Sequence, residues 1–478
     1  MRKCAAALVA AILVGSGLNT SARAQESISS SVAEFVDIDA PVVVLRGTLV
    51  VDGTGAEPLP DHSIVIRDGR IAEVGPTGDI SVPADAEVVD LAGHTVIPGI
   101  VGTHNHTFYT TSLRSVQLNY SAPRLYLGSG VTTIRTTGSM SPYAEINLKE
   151  SIDNGWTPGP RMFVTGPYIT GGQGVSSMNR VSTAEEAARV VNYWADEGVT
   201  WLKAYTEISR DALGAMIEAA HARGIKVTAH LCSVTYKEAV ALGIDHLEHG
   251  LYASSDFHPE KQPDECPPDH FERLAQMDID DPEVDRTLQT MIDAGVGMTS
   301  TQAIYELLVP DRPPLEQRVL DAMSPEAREE YLATREQISD LRNERQFRIS
   351  GDLFKKAQQF EYKFARAGGL LTAGVDPTGI GGALAGYGDQ RNYELLIETG
   401  FSPVEAIQIM TLNGARSLGL GDELGSIEEG KIADLVVIRG NPLERSEEIR
   451  NVTLVFKDGR GYDSVSLVNA VEGTVGIR

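Results

Sequence analysis

The chain has 478 residues, with 66 Asp and Glu against 41 Lys and Arg, a formal charge of −25. Apolar residues make up 42% and charged residues 22%, which excludes a disordered or fibrous chain. No basic stripe occurs anywhere, so a nucleic-acid partner, whose phosphates need clustered Lys and Arg, is set aside.

The first elements are not structural. Arg2 and Lys3 precede an apolar run from Ala5 to Val14, and Ala22-Arg23-Ala24 offers a small-x-small cleavage site before Gln25. Residues 1–24 therefore predict a signal peptide and an exported protein, periplasmic or secreted. The apolar run is too short to span a bilayer, so no membrane anchor is expected. Residues 25–40 are polar and Ser-rich, and predict a loosely attached lead-in.

Residues 41–96 predict short strands at Val42–Arg46, Ser63–Arg67, Ile71–Val74, Glu87–Asp90 and His94–Ile97. Asp68-Gly69 marks a tight hairpin turn. Residues 421–478 repeat this character, with strands at Leu435–Ile438 and Val452–Lys457 and a second such turn at Asp458-Gly459. The two pieces predict one small composite β-sandwich domain built from both ends of the chain.

Between them, residues 97–420 alternate apolar runs with amphipathic helices. The candidate strands are Val96–His104, Gly130–Thr136, Arg161–Gly166, Thr200–Tyr205, Lys226–Leu231, Ile244–His249, Gly297–Thr301 and Leu370–Asp376. Continuous apolar runs suit strands buried on both faces of a parallel sheet. Thr183-Ala184-Glu185-Glu186 and Ser402-Pro403-Val404-Glu405 are capping boxes, and Ser324-Pro325 starts another helix. The expected fold is α/β, a (β/α)8 TIM-type barrel. Asp311 to Arg366 is longer and more charged than a connecting helix needs, and predicts an elaborated seventh crossover overhanging the barrel mouth.

Barrel enzymes carry their chemistry at the C-terminal strand ends. Here those ends hold His104 and His106, Lys203, His230, His249 and Asp376. His104 and His106 alternate on one strand and share a face. A lysine inside the apolar run Trp201-Leu202-Lys203-Ala204 is costly unless it has a task. Imidazoles and a carboxylate together suit Zn2+, Mn2+ or Fe2+ rather than Ca2+. His246 falls on the opposite face from His249, and Glu248 is expected to be structural. Cys232 and Cys266 either pair, as an oxidising compartment permits, or Cys232 is a small core residue.

Val96-Ile97-Pro98-Gly99-Ile100 before the His-x-His, Gly243 to Gly250, and Leu424 to Val436 together resemble the amidohydrolase superfamily. The likeness is greatest to its imidazolonepropionases and exported Xaa-Pro dipeptidases. That resemblance implies that His104, His106 and Asp376 hold one metal and that His230 and His249 hold a second. It also implies that Lys203 bridges them as a carbamate made with carbon dioxide. Two divalent cations, Zn2+ foremost, are the implied cofactors. The superfamily's usual Asp two residues before the first histidine is Gly102 here, and the histidine that relatives often carry in the third-strand loop is Gln173. Gln173 and Tyr236 are the candidate substrate contacts, although Tyr236 also reads as a packing residue at a helix start.

The expected activity is metal-dependent hydrolysis of a C–N amide bond in a short peptide, N-acyl amino acid or similar small amide. Asp376 serves as the proton shuttle. Cyclic amides, esters or lactones and organophosphates are the rival substrates for the same centre. A non-catalytic scaffold is a weaker rival, and a homo-oligomer is compatible with the chain.

Overall fold

The computed structural model describes residues 28–172, 178–310, 312–340 and 349–477. The expected signal peptide, Gln173 and Asp311 lie outside the described residues. The fold is mixed α/β. Its centre holds eight parallel strands that alternate with helices: β1 (Ile100–Asn105), β2 (Val131–Thr136), β3 (Thr165–Thr170), β4 (Trp201–Ala204), β5 (Lys226–Ala229), β6 (His246–Glu248), β7 (Gly297–Ser300) and β8 (Leu371–Ala373).

These strands form two parallel sheets. In one, β2 lies between β1 and the short segment Arg161–Phe163; in the other, β3 to β8 follow in sequence order. The sheets meet at both edges. Ser139 bridges Pro167 in parallel, and the Asp376 amide donates to the His104 carbonyl at 2.8 Å. Every residue of β1 and β2 is buried, including the polar Thr103, His104, Asn105, Thr132, Thr133, Arg135 and Thr136.

Two expected strands are interrupted. The first run breaks at Gly99: His94–Pro98 pairs antiparallel with Leu435–Arg439, and the chain then enters the parallel sheet as β1. A Cβ at position 99 would lie 2.1 Å from the Thr132 hydroxyl oxygen, so only glycine permits this crossing. The third run breaks at Val164. Arg161–Phe163 pairs with β2 and Thr165–Thr170 with β4.

Strands from both ends of the chain share one nine-stranded sheet, in which Val42–Val50, Leu59–Arg67 and Arg70–Pro76 join Leu435–Arg439, Val452–Lys457 and Arg460–Asp463. Val43, Leu45, Ile64, Ile66, Leu435 and Phe456 pack together on it. Both hairpin turns have two successive left-handed residues, Asp68-Gly69 and Asp458-Gly459, the geometry that matches strand twist.

The lead-in is anchored rather than loose. Val36–Ile38 pairs antiparallel with Arg460–Asp463, and Val32, Phe35 and Ile38 are buried. Three apolar side chains at helical and strand spacing outweigh the polar composition around them. The helix starts behave as their sequences require. Thr183 accepts from the Glu186 amide, Ser324 from the Ala327 amide, and Ser402 forms a full capping box with Glu405. In the seventh crossover, the helix Pro325–Ser339 docks on the loop after β1: Glu330 binds Arg114 at 2.6 Å, and Ser112 meets Thr334 at 2.7 Å. Among the described residues, no helix is long and apolar enough to cross a membrane.

Candidate metal centre

The ends of β1, β4, β5, β6 and β8 bring six side chains together, five of them buried and His230 half-buried. His104 Nε2 lies 3.6 Å from Asp376 Oδ2, and His106 Nε2 lies 3.3 Å from Asp376 Oδ1. His249 Nδ1 is 3.9 Å from Asp376 Oδ2. Lys203 Nζ approaches His104 Nε2 to 3.3 Å. The His249 ring centre stands 4.5 Å from that of His104 and 4.3 Å from that of His230. All six residues expected from the strand ends are therefore together.

Two of them sit in a backbone conformation that L-residues avoid. His249 has φ +70° and Asp376 has φ +46°. Each such position costs about 1–3 kcal/mol and persists only where surrounding contacts fix it. The Asp376 amide is fixed by the His104 carbonyl, and its carboxylate accepts from the Thr378 hydroxyl at 3.0 Å. The His249 amide donates to the Thr299 carbonyl at 3.1 Å. Close strand approach completes the arrangement. A Cβ at Gly374 would lie 2.3 Å from the His104 amide nitrogen, so β8 reaches β1 only through glycine.

Burial sets the protonation of the cluster. It lowers His104 to about 4, helped by the Lys203 charge, and His230 to about 3 in the same way. Burial also lowers His106, and with the adjacent His230 and His104 it takes His249 well below its usual range. All four imidazoles are neutral at pH 7, the form that ligates metals. Lys203 is pushed down to about 8 by burial, against the pull of Glu248 and Asp376. Burial works to raise Asp376, but the surrounding His104, His106 and His249 hold its carboxyl well below the ordinary range, and it is ionised.

The donor set fits a divalent cation. The ligand atoms of His104, His249 and Asp376 lie within 4.8 Å of one another. Around a tetrahedral Zn2+ with bonds of about 2.1 Å, neighbouring ligand atoms stand roughly 3.4 Å apart. The separations from Asp376 to the two β1 histidines bracket that value. Among the described residues, Asp376 and Tyr168 face His106 Nε2, and the ring packs on Phe108.

Glu248 does more than the sequence suggests. Its Oε2 accepts from His104 Nδ1 at 2.7 Å, and its Oε1 binds Arg135 at 2.5 Å and the Thr228 hydroxyl. Burial works against its charge, but Arg135 and His104 keep it ionised. The carboxylate fixes the His104 tautomer and leaves Nε2 for a ligand, the task expected of an acid two residues before His104. Position 102 has no room for one, since its Cβ would lie 2.4 Å from the Asn105 amide. The sequence signal was the acidic residue beside His249 in His246-Leu247-Glu248-His249, but its partners come from three other strands.

Tyr236 is a correction. It is fully buried, and its hydroxyl donates to the carbonyls of Glu248, at 3.1 Å, and Gly250, at 2.6 Å. The phenol pins the turn that carries His249 and has no free proton for a substrate. The remaining histidines lie outside the cluster. His246 packs against Trp201, His221 pairs with Asp245, His258 with Asp269, and His270 with the Tyr252 carbonyl. Cys232 and Cys266 form a disulfide with Cα atoms 4.9 Å apart, joining the loop after β5 to the loop after β6.

The amidohydrolase family matches residues 95–266 and 385–461, more than half of the chain. The chain belongs to the amidohydrolase family. The dihydroorotase of Mycobacterium tuberculosis is 24% identical over 140 residues, which cover 28% of this chain and 31% of that protein. The enamidase of Eubacterium barkeri is 27% identical over 196 residues, covering 38% of this chain and 47% of that protein. The chain thus spans less than half the length of these amidohydrolase relatives. A crystal structure of a Xaa-Pro dipeptidase with bound methionine in its active site superposes with a TM-score of 0.65 at 22% identity. It covers 88% of this amidohydrolase and 100% of the dipeptidase, a likeness of fold.

Proposed function

We propose that this amidohydrolase is an exported, metal-dependent enzyme that hydrolyses a C–N amide bond in a short peptide, an N-acyl amino acid or a similar small amide. The observation that carries the reading is the convergence of His104, His249 and Asp376 on one point, with His106, Lys203 and His230 around them. In this reading the two parallel sheets are arcs of one (β/α)8 barrel, and the shared terminal strands form its composite β-sandwich domain. The edge contacts Ser139–Pro167 and Asp376–His104 support the closure.

His104, His106 and Asp376 would hold one cation, and His230 and His249 the second, with Lys203 between them as a carbamate. Divalent metal bound there, Zn2+ in preference to Mn2+ or Fe2+, supplies Lewis acidity and makes water a competent nucleophile at neutral pH. A lysine with its pKa near 8 has a substantial neutral fraction, which is the form that attacks carbon dioxide. Asp376 accepts the proton of the attacking water and returns it to the leaving amine, a general base that becomes a general acid. Glu248 and Arg135 keep His104 in the ligating tautomer throughout. The disulfide supports residence in an oxidising compartment.

Elemental analysis of the pure protein should find close to two divalent metals per chain, and Lys203→Ala should lose metal and activity together. Dipeptides, N-acyl amino acids, cyclic amides and esters, assayed against Zn-loaded protein, identify the substrate. Metal-free protein from metal-replete growth, or full activity in Lys203→Ala, would refute the reading.

A further inference from the structure

Tyr168 lies on β3, and its hydroxyl stands 3.4 Å from His106 Nε2. This is the same nitrogen that faces Asp376 at 3.3 Å. The ring is held on both sides. Tyr205 packs against it edge to face at 5.1 Å. On the other side a Cβ at Gly138 would lie 2.5 Å from the ring, so the left-handed Gly138 leaves the space it fills. The Lys203 ammonium is 5.8 Å from the ring centre. The phenol therefore has one orientation, with its oxygen inside the cluster and only 6% of the residue exposed. A tyrosine phenol keeps its proton at neutral pH, so the group is a donor there.

Among the described residues, the hydrogen-bond partner of that hydroxyl is His106 Nε2. When Nε2 is committed to a cation, its lone pair is no longer available, and a buried hydroxyl left without an acceptor is costly. The acceptor that restores the balance must be an oxygen brought into the cluster. For an amide substrate that is the carbonyl oxygen, which gains negative charge as the nucleophile adds.

We infer that Tyr168 is a catalytic residue, whose phenol donates a hydrogen bond to the substrate carbonyl oxygen and strengthens that bond as the oxygen becomes anionic. The inference rests on the amide-hydrolase reading above. It gives the third strand a donor of its own. The proton stays on Tyr168, and the hydrogen bond stabilises the oxyanion without proton transfer.

Tyr168→Phe keeps the ring and its packing and removes only the donor. With the amide found most active in the substrate panel, kcat should fall by about 10²- to 10³-fold, the usual loss for one oxyanion donor, with KM little changed. Metal content should stay at the parental level. The Zn-loaded variant should also bind methylphosphonate, a tetrahedral anion, about tenfold or more weakly, while binding planar acetate as the parent does. Parental kcat, or parental methylphosphonate affinity, would overturn the inference. So would loss of metal in step with activity, since Tyr168 would then only position His106. If the parent cleaves no amide at all, the hydrolase reading fails first. The methylphosphonate comparison then judges separately whether the phenol faces an oxyanion.

Discussion

The two halves of the cluster are held by different physics. His104, His106 and Asp376, carried by β1 and β8, are fixed by charge and by backbone. Glu248 grips His104 at 2.7 Å and the Asp376 amide bonds the His104 carbonyl. The Tyr126 hydroxyl donates to the His106 carbonyl at 2.8 Å. His230 and His249, carried by β5 and β6, have neutral and apolar support. His249 Nδ1 meets the Thr301 hydroxyl at 2.8 Å, with Tyr305 edge-on at 5.5 Å. The His230 ring rests between Tyr205 and His249. A charge-assisted hydrogen bond is roughly twice as strong as a neutral one. The first half is thus pre-set for its ligand, and the second depends on covalent and packing constraints to stay in place.

The largest expected effect breaks the first half chemically while leaving its geometry. Asp376→Asn keeps the size and one oxygen ligand, but the amide cannot accept a proton at neutral pH. Its kcat should fall by about 10²- to 10⁴-fold with much of the bound metal retained. Steady-state rates and metal analysis on the same preparation check this. A variant with full metal and near-parental rate would move the proton shuttle to another residue.

The next effect falls on the second half. The Cys232–Cys266 bond starts two residues after His230 and closes a loop with a sequence separation of 34. Chain-entropy arguments give such a loop about 3–4 kcal/mol of stabilisation. Cys232→Ser with Cys266→Ser should lower the melting temperature by several degrees, and the His230 and His249 half should lose metal before the other. Melting curves and metal stoichiometry with and without reductant test both statements. Identical curves for the oxidised and reduced protein would show that packing alone holds this half.

The strand ends that form the cluster were legible because each is an apolar run that carries or ends in His, Lys or Asp, and buried polar residues at strand ends have few other uses. The hairpins were legible from Asp-Gly pairs. The positioning role of Glu248 was not, because it depends on which strands become neighbours: its partners His104, Arg135 and Thr228 lie on β1, β2 and β5. Tyr236 misled for a related reason. A tyrosine after a ligand strand reads the same whether its hydroxyl faces a cavity or a carbonyl, and here the carbonyls of Glu248 and Gly250 take it. The breaks at Gly99 and Val164 were hidden too. An apolar run does not reveal that its two ends serve different sheets, and only the approach of Thr132 makes Gly99 necessary.

The smallest expected effect compares the two imidazole supports directly. Glu248→Gln keeps an oxygen that accepts from His104 Nδ1 but removes the charge that makes this bond strong and that balances Arg135. Thr301→Val removes the neutral partner of His249 at nearly constant volume. Loss of a hydrogen bond behind a ligating histidine costs about 10- to 100-fold in metal affinity. The charged support should fall toward the upper end of that range and the neutral one at or below its lower end. Arg135 is fully buried, and among the described residues its Nε and Nη1 atoms have no hydrogen-bond partner, so Glu248→Gln should also lower the melting temperature, whereas Thr301→Val should barely move it. Competition with a zinc chelator of known affinity gives the first comparison, and calorimetry of the metal-free proteins gives the second. Equal losses in the two variants would mean that the charge on Glu248 serves Arg135 alone, and that the halves of the centre differ in their partners but not in how firmly they are held.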